Sequence, residues 1–193
     1  MNKKDLRRKY KSLRGALSTD EIEDFSLKIA NQALKLPIWN FENYHIFLSI
    51  HEHREVQTDY LLHILNGKDK NVIVSKSDFE NRTMQHVLLT DNVTIKKNEW
   101  NIPEPQNGFS VVDEQIDVVF IPLLAYDVSG NRVGYGKGFY DLFLSKCKPN
   151  VVKIGLSFFD AEPTIADTNR HDIRLDYCIT PDKIYEFGTE SVK

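Results

Sequence analysis

Asp117-Val-Val-Phe-Ile-Pro-Leu-Leu-Ala-Tyr-Asp-Val-Ser-Gly-Asn-Arg-Val-Gly-Tyr-Gly-Lys-Gly-Phe-Tyr-Asp141 is the stretch on which the reading of this chain turns. It begins as an apolar strand ending at Pro122, passes through a loop holding Gly130, Gly134, Gly136 and Gly138, and enters a helix near Phe139. Strand, glycine loop and helix in that order make a phosphate cradle. The glycines let backbone N–H groups approach an oxyanion, the helix N-terminus adds partial positive charge, and Arg132 and Lys137 supply whole charges. The spacing is neither the G-x-x-x-x-G-K-[ST] of a P-loop nor the G-x-G-x-x-G of a dinucleotide site. Spacing alone therefore leaves two readings, a site for a nucleotide or other phosphate and an ordinary glycine-rich turn.

Outward from this stretch, helices and strands alternate. Leu6, Tyr10, Leu13 and Leu17 recur at helical spacing among Lys3, Lys4, Arg7, Arg8, Lys9, Lys11 and Arg14, which predicts a basic amphipathic helix over residues 3–17. Ser18 and Glu21 form a capping box for a second helix carrying Ile22, Phe25, Ile29 and Ala33, so the two are expected to form a helical pair. Tyr44 to Ile50 reads as a buried strand, Thr58 to Leu65 as a helix closed by Gly67, and Val72 to Val74 as a strand. Met84 to Leu89 and Val93 to Ile95 are expected to pair as a hairpin around Asp91-Asn92, and the prolines of Trp100-Asn-Ile-Pro-Glu-Pro105 are expected to exclude regular structure there. Beyond the glycine loop come a helix to about Lys146 and strands at Val151 to Leu156 and Tyr177 to Thr180. This order predicts an α/β fold, a three-layer α/β/α sandwich of Rossmann-like kind with a mostly parallel, mixed central sheet and ligands at the carboxyl ends of its strands.

The 193 residues fit one domain, at ~100–200 residues per domain, and no repeat, linker or low-complexity tract divides residues 1–193. With 25 basic and 28 acidic residues the net charge is −3, so the bulk field favours neither nucleic acid nor an anionic membrane, and an anion site must be local. Cys147 and Cys178 are the only cysteines and show neither C-x-x-C nor zinc-type spacing, which points to a reducing compartment without disulfides. The first residues hold no apolar signal region, and no run approaches the ~18 apolar residues of a membrane span. A cytoplasmic protein is therefore expected, and it is taken to be a monomer, although nothing in the sequence fixes the oligomeric state.

The run Gly130-Asn-Arg-Val-Gly-Tyr-Gly-Lys-Gly-Phe-Tyr-Asp141 resembles the signature of the 5-formyltetrahydrofolate cyclo-ligases, or 5,10-methenyltetrahydrofolate synthetases, with Val133 for the family's Leu and Phe139 for its first Tyr. The likeness extends along nearly the whole chain. It implies a magnesium-dependent ligase of one-carbon metabolism that uses ATP to convert 5-formyltetrahydrofolate, free or polyglutamylated, to 5,10-methenyltetrahydrofolate, with ADP and phosphate released. For the nucleotide it implies Lys3 and Arg14 from the basic helix, Arg132, Gly134, Tyr135, Gly136, Lys137, Gly138, Phe139 and Tyr140 from the loop, and Asp172 from His171-Asp-Ile-Arg-Leu-Asp176. Without the resemblance, the basic helix would read as a solvated face.

The same likeness gives other residues roles that their surroundings leave open. By position alone Glu55 is an acid favoured by the start of a helix, but it matches the family's Glu-x-x-Thr and so implies a carboxylate at the folate, beside Ile50 and Tyr140. Trp100 would by default be a core or rim aromatic, whereas its match to Trp-x-Ile-x-x-Pro implies a stacking surface for the folate rings. Lys76 matches a basic residue that follows a Pro in the family, where this chain has Ser75. Asp141 is either a helix-start acid or, with Asp172, a ligand of Mg²⁺ placed between carboxylate and phosphate. His51-Glu52-His53 puts two imidazoles on one face of an extended segment but lacks a third ligand, so these are expected to be surface histidines. On this reading Glu55, Lys137 and Arg132 carry the chemistry. A sugar-phosphate isomerase of similar fold and a non-catalytic nucleotide-binding module remain as alternatives that fold analogy does not exclude.

Overall fold

The computed structural model describes residues 1–188. In chain order its elements are α1 (Lys3–Ala16), α2 (Thr19–Ala33), β1 (Asn43–His45), α3 (Asp59–Gly67), β2 (Asn71–Asp78), β3 (Thr83–Leu88), β4 (Ile95–Lys97), β5 (Pro103–Pro105) and β6 (Ser110–Val111). They continue with β7 (Val118–Pro122), β8 (Ala125–Tyr126), β9 (Arg132–Val133), α4 (Phe139–Leu144), β10 (Val152–Leu156), β11 (Tyr177–Ile179) and β12 (Ile184–Glu186).

Eight strands form the central sheet in the order β12-β11-β10-β7-β1-β2-β3-β6. The five from β11 to β2 are parallel, and antiparallel β12 on one side and β3 and β6 on the other complete the mixed sheet. A parallel strand is buried on both faces, and β7 shows how its unbroken apolar run is used. Val118 and Phe120 pack into a cluster with Ile22 and Ile29 of α2 and Leu61 and Leu65 of α3. Val119 and Ile121, pointing the other way, pack with Phe143 and Leu144 of α4. Helices on both faces of a mostly parallel sheet make the three-layer α/β/α sandwich.

Local signals placed several elements correctly. The capping box is formed: Ser18 Oγ accepts from Glu21 N at 3.1 Å, and Ser18 N donates to Glu21 Oε2 at 2.7 Å. The expected pairing of the first two helices is corrected, because Leu6 and Tyr10 of α1 join Leu124, Ala125, Val133 and Ile165 while α2 packs in the other cluster. The strand expected over residues 44–50 stops at His45. Beyond Ile46, whose N–H donates to Ile73 O at 2.9 Å, side chains take over from the ladder: Thr58 Oγ1 donates to Phe47 O at 2.8 Å and Ser49 Oγ to Val56 O at 2.7 Å.

The expected hairpin around Asp91-Asn92 does not form. β3 pairs with β2 and β6, while β4 pairs with β5, the segment whose prolines were expected to forbid a strand. Bonds from Asn98 N to Ile102 O and from Gln106 N to Thr94 O fix the alternation of this ribbon. Pro103 and Pro105 then occupy the positions whose N–H would face away from β4, so their missing donors cost nothing.

One glycine is set by packing. A Cβ on Gly155, near the carboxyl end of β10, would lie 2.5 Å from Leu123 Cδ2, 2.8 Å from Leu175 Cδ1 and 3.2 Å from Cys178 Sγ. Gly155→Ala should therefore destabilise the protein by about 1–3 kcal/mol, the usual range for overpacking, read as a lowered midpoint of urea unfolding. An unchanged midpoint would show that these side chains give way freely.

Candidate active site

The strand order reverses at β1: the chain moves one way to β2, while β7 lies on its other side. At such a switch point the connections leave in opposite directions and open a crevice beyond the carboxyl ends of the strands. Two segments leave from that place. Ile46 to Thr58 follows β1, and the glycine loop follows β7 by way of the β8–β9 ribbon. Between them lies a cavity of about 650 Å³.

One wall is the loop. Gly136 and Gly138 take φ of 94° and 77°, in the left-handed region, and Gly138 leads directly into α4. Lys137, exposed, and Lys3 and Arg7 from α1 face the same space. Arg7 is the residue that the sequence reading passed over. Its Nε donates to Gly134 O at 2.9 Å, and its guanidinium lies 3.1 Å from where a Cβ of Gly136 would stand. The signal was present, since Arg7 sits one helical turn after Lys3, on the same side of α1.

The other expected cations are more committed. Arg132 is buried, donating through Nη2 to Asp141 Oδ1 at 2.8 Å and through Nη1 to Ile173 O. Burial pulls its pKa down, and the Asp141 carboxylate opposes that shift. Asp141 Oδ1 also accepts from Ile173 N at 3.0 Å, so this acid is more than a helix-start residue: it braces the 173 segment. Lys3 Nζ pairs with Asp172 Oδ2, which also accepts from Asn169 N at 2.7 Å. Burial alone would raise the pKa of Asp172, but Lys3 and the Asn169 amide hold it below the ordinary carboxylate range. Arg14, expected at the phosphates, does not line the cavity. It lies behind Tyr135, donating to the Tyr135 hydroxyl at 2.7 Å, to Leu123 O at 2.6 Å and to His53 O at 3.3 Å.

The opposite wall is apolar and aromatic. Trp100, half exposed on the rim, lies 4.3 Å from Phe79 between ring centroids, and Phe79 meets Phe139 edge-on at 5.1 Å. Ile50 and Tyr140 also line the space, and burial followed by the Glu55 charge pushes the Tyr140 hydroxyl pKa up. Glu55, buried, faces the same cavity; Ile50 N donates to its Oε2 at 2.8 Å and the Tyr135 hydroxyl to its Oε1. Phe79, Asn169 and His171 had no role in the sequence-based site apart from the last one's motif, yet all three line the cavity. Lys76 does not: alternation along β2 turns Ser75 and Ser77 to the cavity and leaves Lys76 exposed. His51-Glu-His53 is a turn of 3₁₀-helix and not an extended segment; its histidines are exposed, and among the described residues they belong to no metal-type cluster. No helix among the described residues is long and apolar enough to cross a membrane.

One cavity at the switch point of an α/β fold thus has a cationic glycine loop on one side and a buried carboxylate among aromatic rings on the other. The sequence profile of the 5-formyltetrahydrofolate cyclo-ligase family matches residues 1–181, and the chain belongs to that family. It is 29% identical to the 5-formyltetrahydrofolate cyclo-ligase of Mus musculus, covering 93% of this chain and 94% of that one. It is 27% identical to a probable 5-formyltetrahydrofolate cyclo-ligase of Schizosaccharomyces pombe, over 95% of this chain and 97% of that one. The structure of Aquifex aeolicus 5,10-methenyltetrahydrofolate synthetase superposes with a TM-score of 0.80 at 26% identity, covering 100% of this chain and 97% of that one.

Behind the cavity floor two buried histidines meet edge-on, with ring centroids 5.2 Å apart, and both pack against Phe143. His45 Nε2 and Ser75 Oγ lie 2.9 Å apart, and His86 Nε2 lies 3.0 Å from Asp113 Oδ1. Burial followed by Lys146 lowers the pKa of His86 from 6.5 to about 4, and burial followed by His86 lowers that of His45 well below its ordinary value. At His86 the unfolded chain therefore binds a proton between pH 6.5 and about 4 while the folded protein resists it, so stability is lost as pH falls through that window, and His45 acts in the same direction. His86→Gln should remove a part of that slope worth roughly 3 kcal/mol across the window, measured by urea unfolding at pH 4.5 and 7. Parallel curves for parent and variant would mean that His86 titrates normally.

Proposed function

We propose that this protein closes 5-formyltetrahydrofolate to 5,10-methenyltetrahydrofolate at the expense of ATP. The observation that carries the reading is that one cavity joins a cationic glycine loop to an aromatic wall with a buried carboxylate, since the reaction needs a phosphoryl donor beside a reduced pterin. Family membership favours this over an isomerase or a non-catalytic module. Lys137, Lys3, Arg7 and the amides of Gly134 to Gly138 would hold the triphosphate, and Trp100, Ile50 and Tyr140 would hold the folate.

A formyl oxygen on nitrogen is a poor leaving group. Transfer of the terminal phosphoryl group to that oxygen releases ADP and leaves an iminium phosphate at N5. N10 then attacks the formyl carbon, the C–O bond breaks, phosphate departs, and the N10 proton is lost as the ring closes. Phosphoryl transfer asks mainly for positioning and charge neutralisation, which the cations supply. Glu55 orients the pterin and accepts a hydrogen bond or the proton from N10. The donor set beside the loop fits a magnesium ion: Asp141 and Asp172 offer hard carboxylate oxygens next to where phosphate oxygens would lie, and each carboxylate is already positioned by a cation. That ion would supply neutralisation of phosphate charge.

Adding ATP, Mg²⁺ and 5-formyltetrahydrofolate to the protein should raise the methenyl absorbance, and no rise would end this reading. Lys137→Ala should lower kcat/KM by about 2–4 kcal/mol, as for loss of one electrostatic stabiliser. Kinetics like the parent's would remove Lys137 from the site. Asp141→Asn should raise the Mg²⁺ concentration needed for half-maximal rate. It also leaves the buried Arg132 without its partner, so Tm will fall as well. The magnesium titration at a temperature where both forms are folded separates the effects, and a coincident titration would limit Asp141 to bracing.

A further inference from the structure

Only one side chain of the glycine loop reaches the acid on the far side of the cavity. Tyr135 stands between Gly134 and Gly136, yet its hydroxyl donates to Glu55 Oε1. The same hydroxyl accepts from Arg14 Nη1 at 2.7 Å, and the other end of that guanidinium, Nη2, donates to Leu123 O at 2.6 Å. The second carboxylate oxygen of Glu55 accepts from Ile50 N at 2.8 Å. Arg14, Tyr135 and Glu55 thus form one chain of hydrogen bonds from α1 through the loop to the segment after β1.

We propose that Tyr135 is a positioning residue whose hydroxyl, held by Arg14, fixes the Glu55 carboxylate and ties it to the loop. The proposal rests on the reading of Glu55 as the acid at the folate. Three features support it. The Tyr135 ring is itself held, lying 5.4 Å from the His53 ring, so the hydroxyl has little freedom to leave Glu55. Burial and then the Glu55 charge push the tyrosine pKa up, so the phenol keeps its proton and can only donate to the carboxylate. Arg14 is buried and spent on three protein acceptors, which suits a brace better than a phosphate ligand. The consequence is a link between the two halves of the site. A shift of the loop moves Tyr135, and with it a donor that sets where Glu55 points.

The test is a double-mutant cycle with Tyr135→Phe and Glu55→Gln, followed by single-turnover methenyl formation and steady-state kinetics in ATP. Tyr135→Phe keeps the ring and removes only the hydroxyl. It should lower the rate of methenyl formation roughly ten- to hundredfold, the range expected when a charged group loses one hydrogen bond, with the KM for ATP unchanged. Tm will fall as well, because buried Arg14 and Glu55 each lose a partner, so rates are compared where both forms are folded. In the Glu55→Gln background it should add less than about threefold, because both changes break the same link. Multiplicative losses, a raised KM for ATP without loss of turnover, or no change at all would each overturn the proposal. Arg14→Lys adds a second check. An ammonium cannot span Tyr135 and Leu123 as the guanidinium fork does, so methenyl formation should fall while the KM for ATP stays put. A raised KM with normal turnover would return Arg14 to the nucleotide and overturn the clamp. If the parent forms no methenyl product, the reading of the site fails and the clamp falls with it; if the parent turns over and the cycle is multiplicative, the clamp alone fails.

Discussion

The parallel pairing of β1 with β7 is the constraint from which the site follows. Tyr44 lies against Val118 and His45 against Val119, although 74 residues separate each pair in sequence. Asp117 secures the entry to this register: its Oδ2 accepts from Asn43 N at 2.8 Å and Glu42 N at 3.1 Å, and Lys148 pairs with its Oδ1. A slip of one residue would turn Val118 and Phe120 out of the cluster under α2 and α3 and exchange the two faces of a strand buried on both sides. The strands then end together, so the segment bearing Glu55 and the loop bearing Tyr135 and Lys137 face one another across a single crevice.

Charge in that crevice is arranged in pairs. Lys3, Arg7, Arg132 and Lys137 border one cavity of a protein whose net charge is −3. So many like charges in a partly buried space would repel one another and lose hydration. Asp172 beside Lys3 and Asp141 beside Arg132 reduce that repulsion and also orient the cations through charge-assisted bonds. The paired residues are therefore a prepared surface, while Lys137 and Arg7, which pair with no carboxylate among the described residues, keep more of their charge for an incoming anion.

What could be read in the sequence was what local chemistry decides. The glycine loop, the capping box of α2, the apolar run of β7 and the helix closed by Gly67 depend on neighbours a few residues apart, and each lies close to where it was expected. Elements defined by distant partners were harder to see. β6, β8 and β9 have two residues each and β12 three, too few for a period to show, and they exist because a neighbouring strand offers hydrogen bonds. The β4–β5 ribbon was misread because proline was treated as a bar to any strand, when only the side it faces matters. Glu55, Trp100, Lys137 and Asp172, which the resemblance singled out, do line one cavity, but the sequence could not show that Arg14 turns inward behind Tyr135 while Arg7 meets the loop. Both arginines belong to one basic helix, and the choice between them depends on which face of α1 lies against Val133 and Leu124.

The shortening of β1 shows how fold and site share the same bonds. A buried segment that leaves a sheet must still satisfy its backbone groups, at a cost of about 1–3 kcal/mol for each one left unmade. After Ile46 this chain meets that need with side chains. Thr58 serves Phe47 O, Ser49 serves Val56 O and the Thr58 N–H, and Glu55 accepts from Ile50 N. Had the ladder continued to Ile50, its N–H would have belonged to a neighbouring strand and Glu55 would have had no anchor there. The interruption that makes the strand shorter than its apolar pattern suggests is thus what holds a buried carboxylate against the cavity. The same short segment therefore ends the strand and holds the acid: Ser49 and Thr58 satisfy its backbone where the ladder stops, and Glu55 is anchored to the N–H of Ile50 within it.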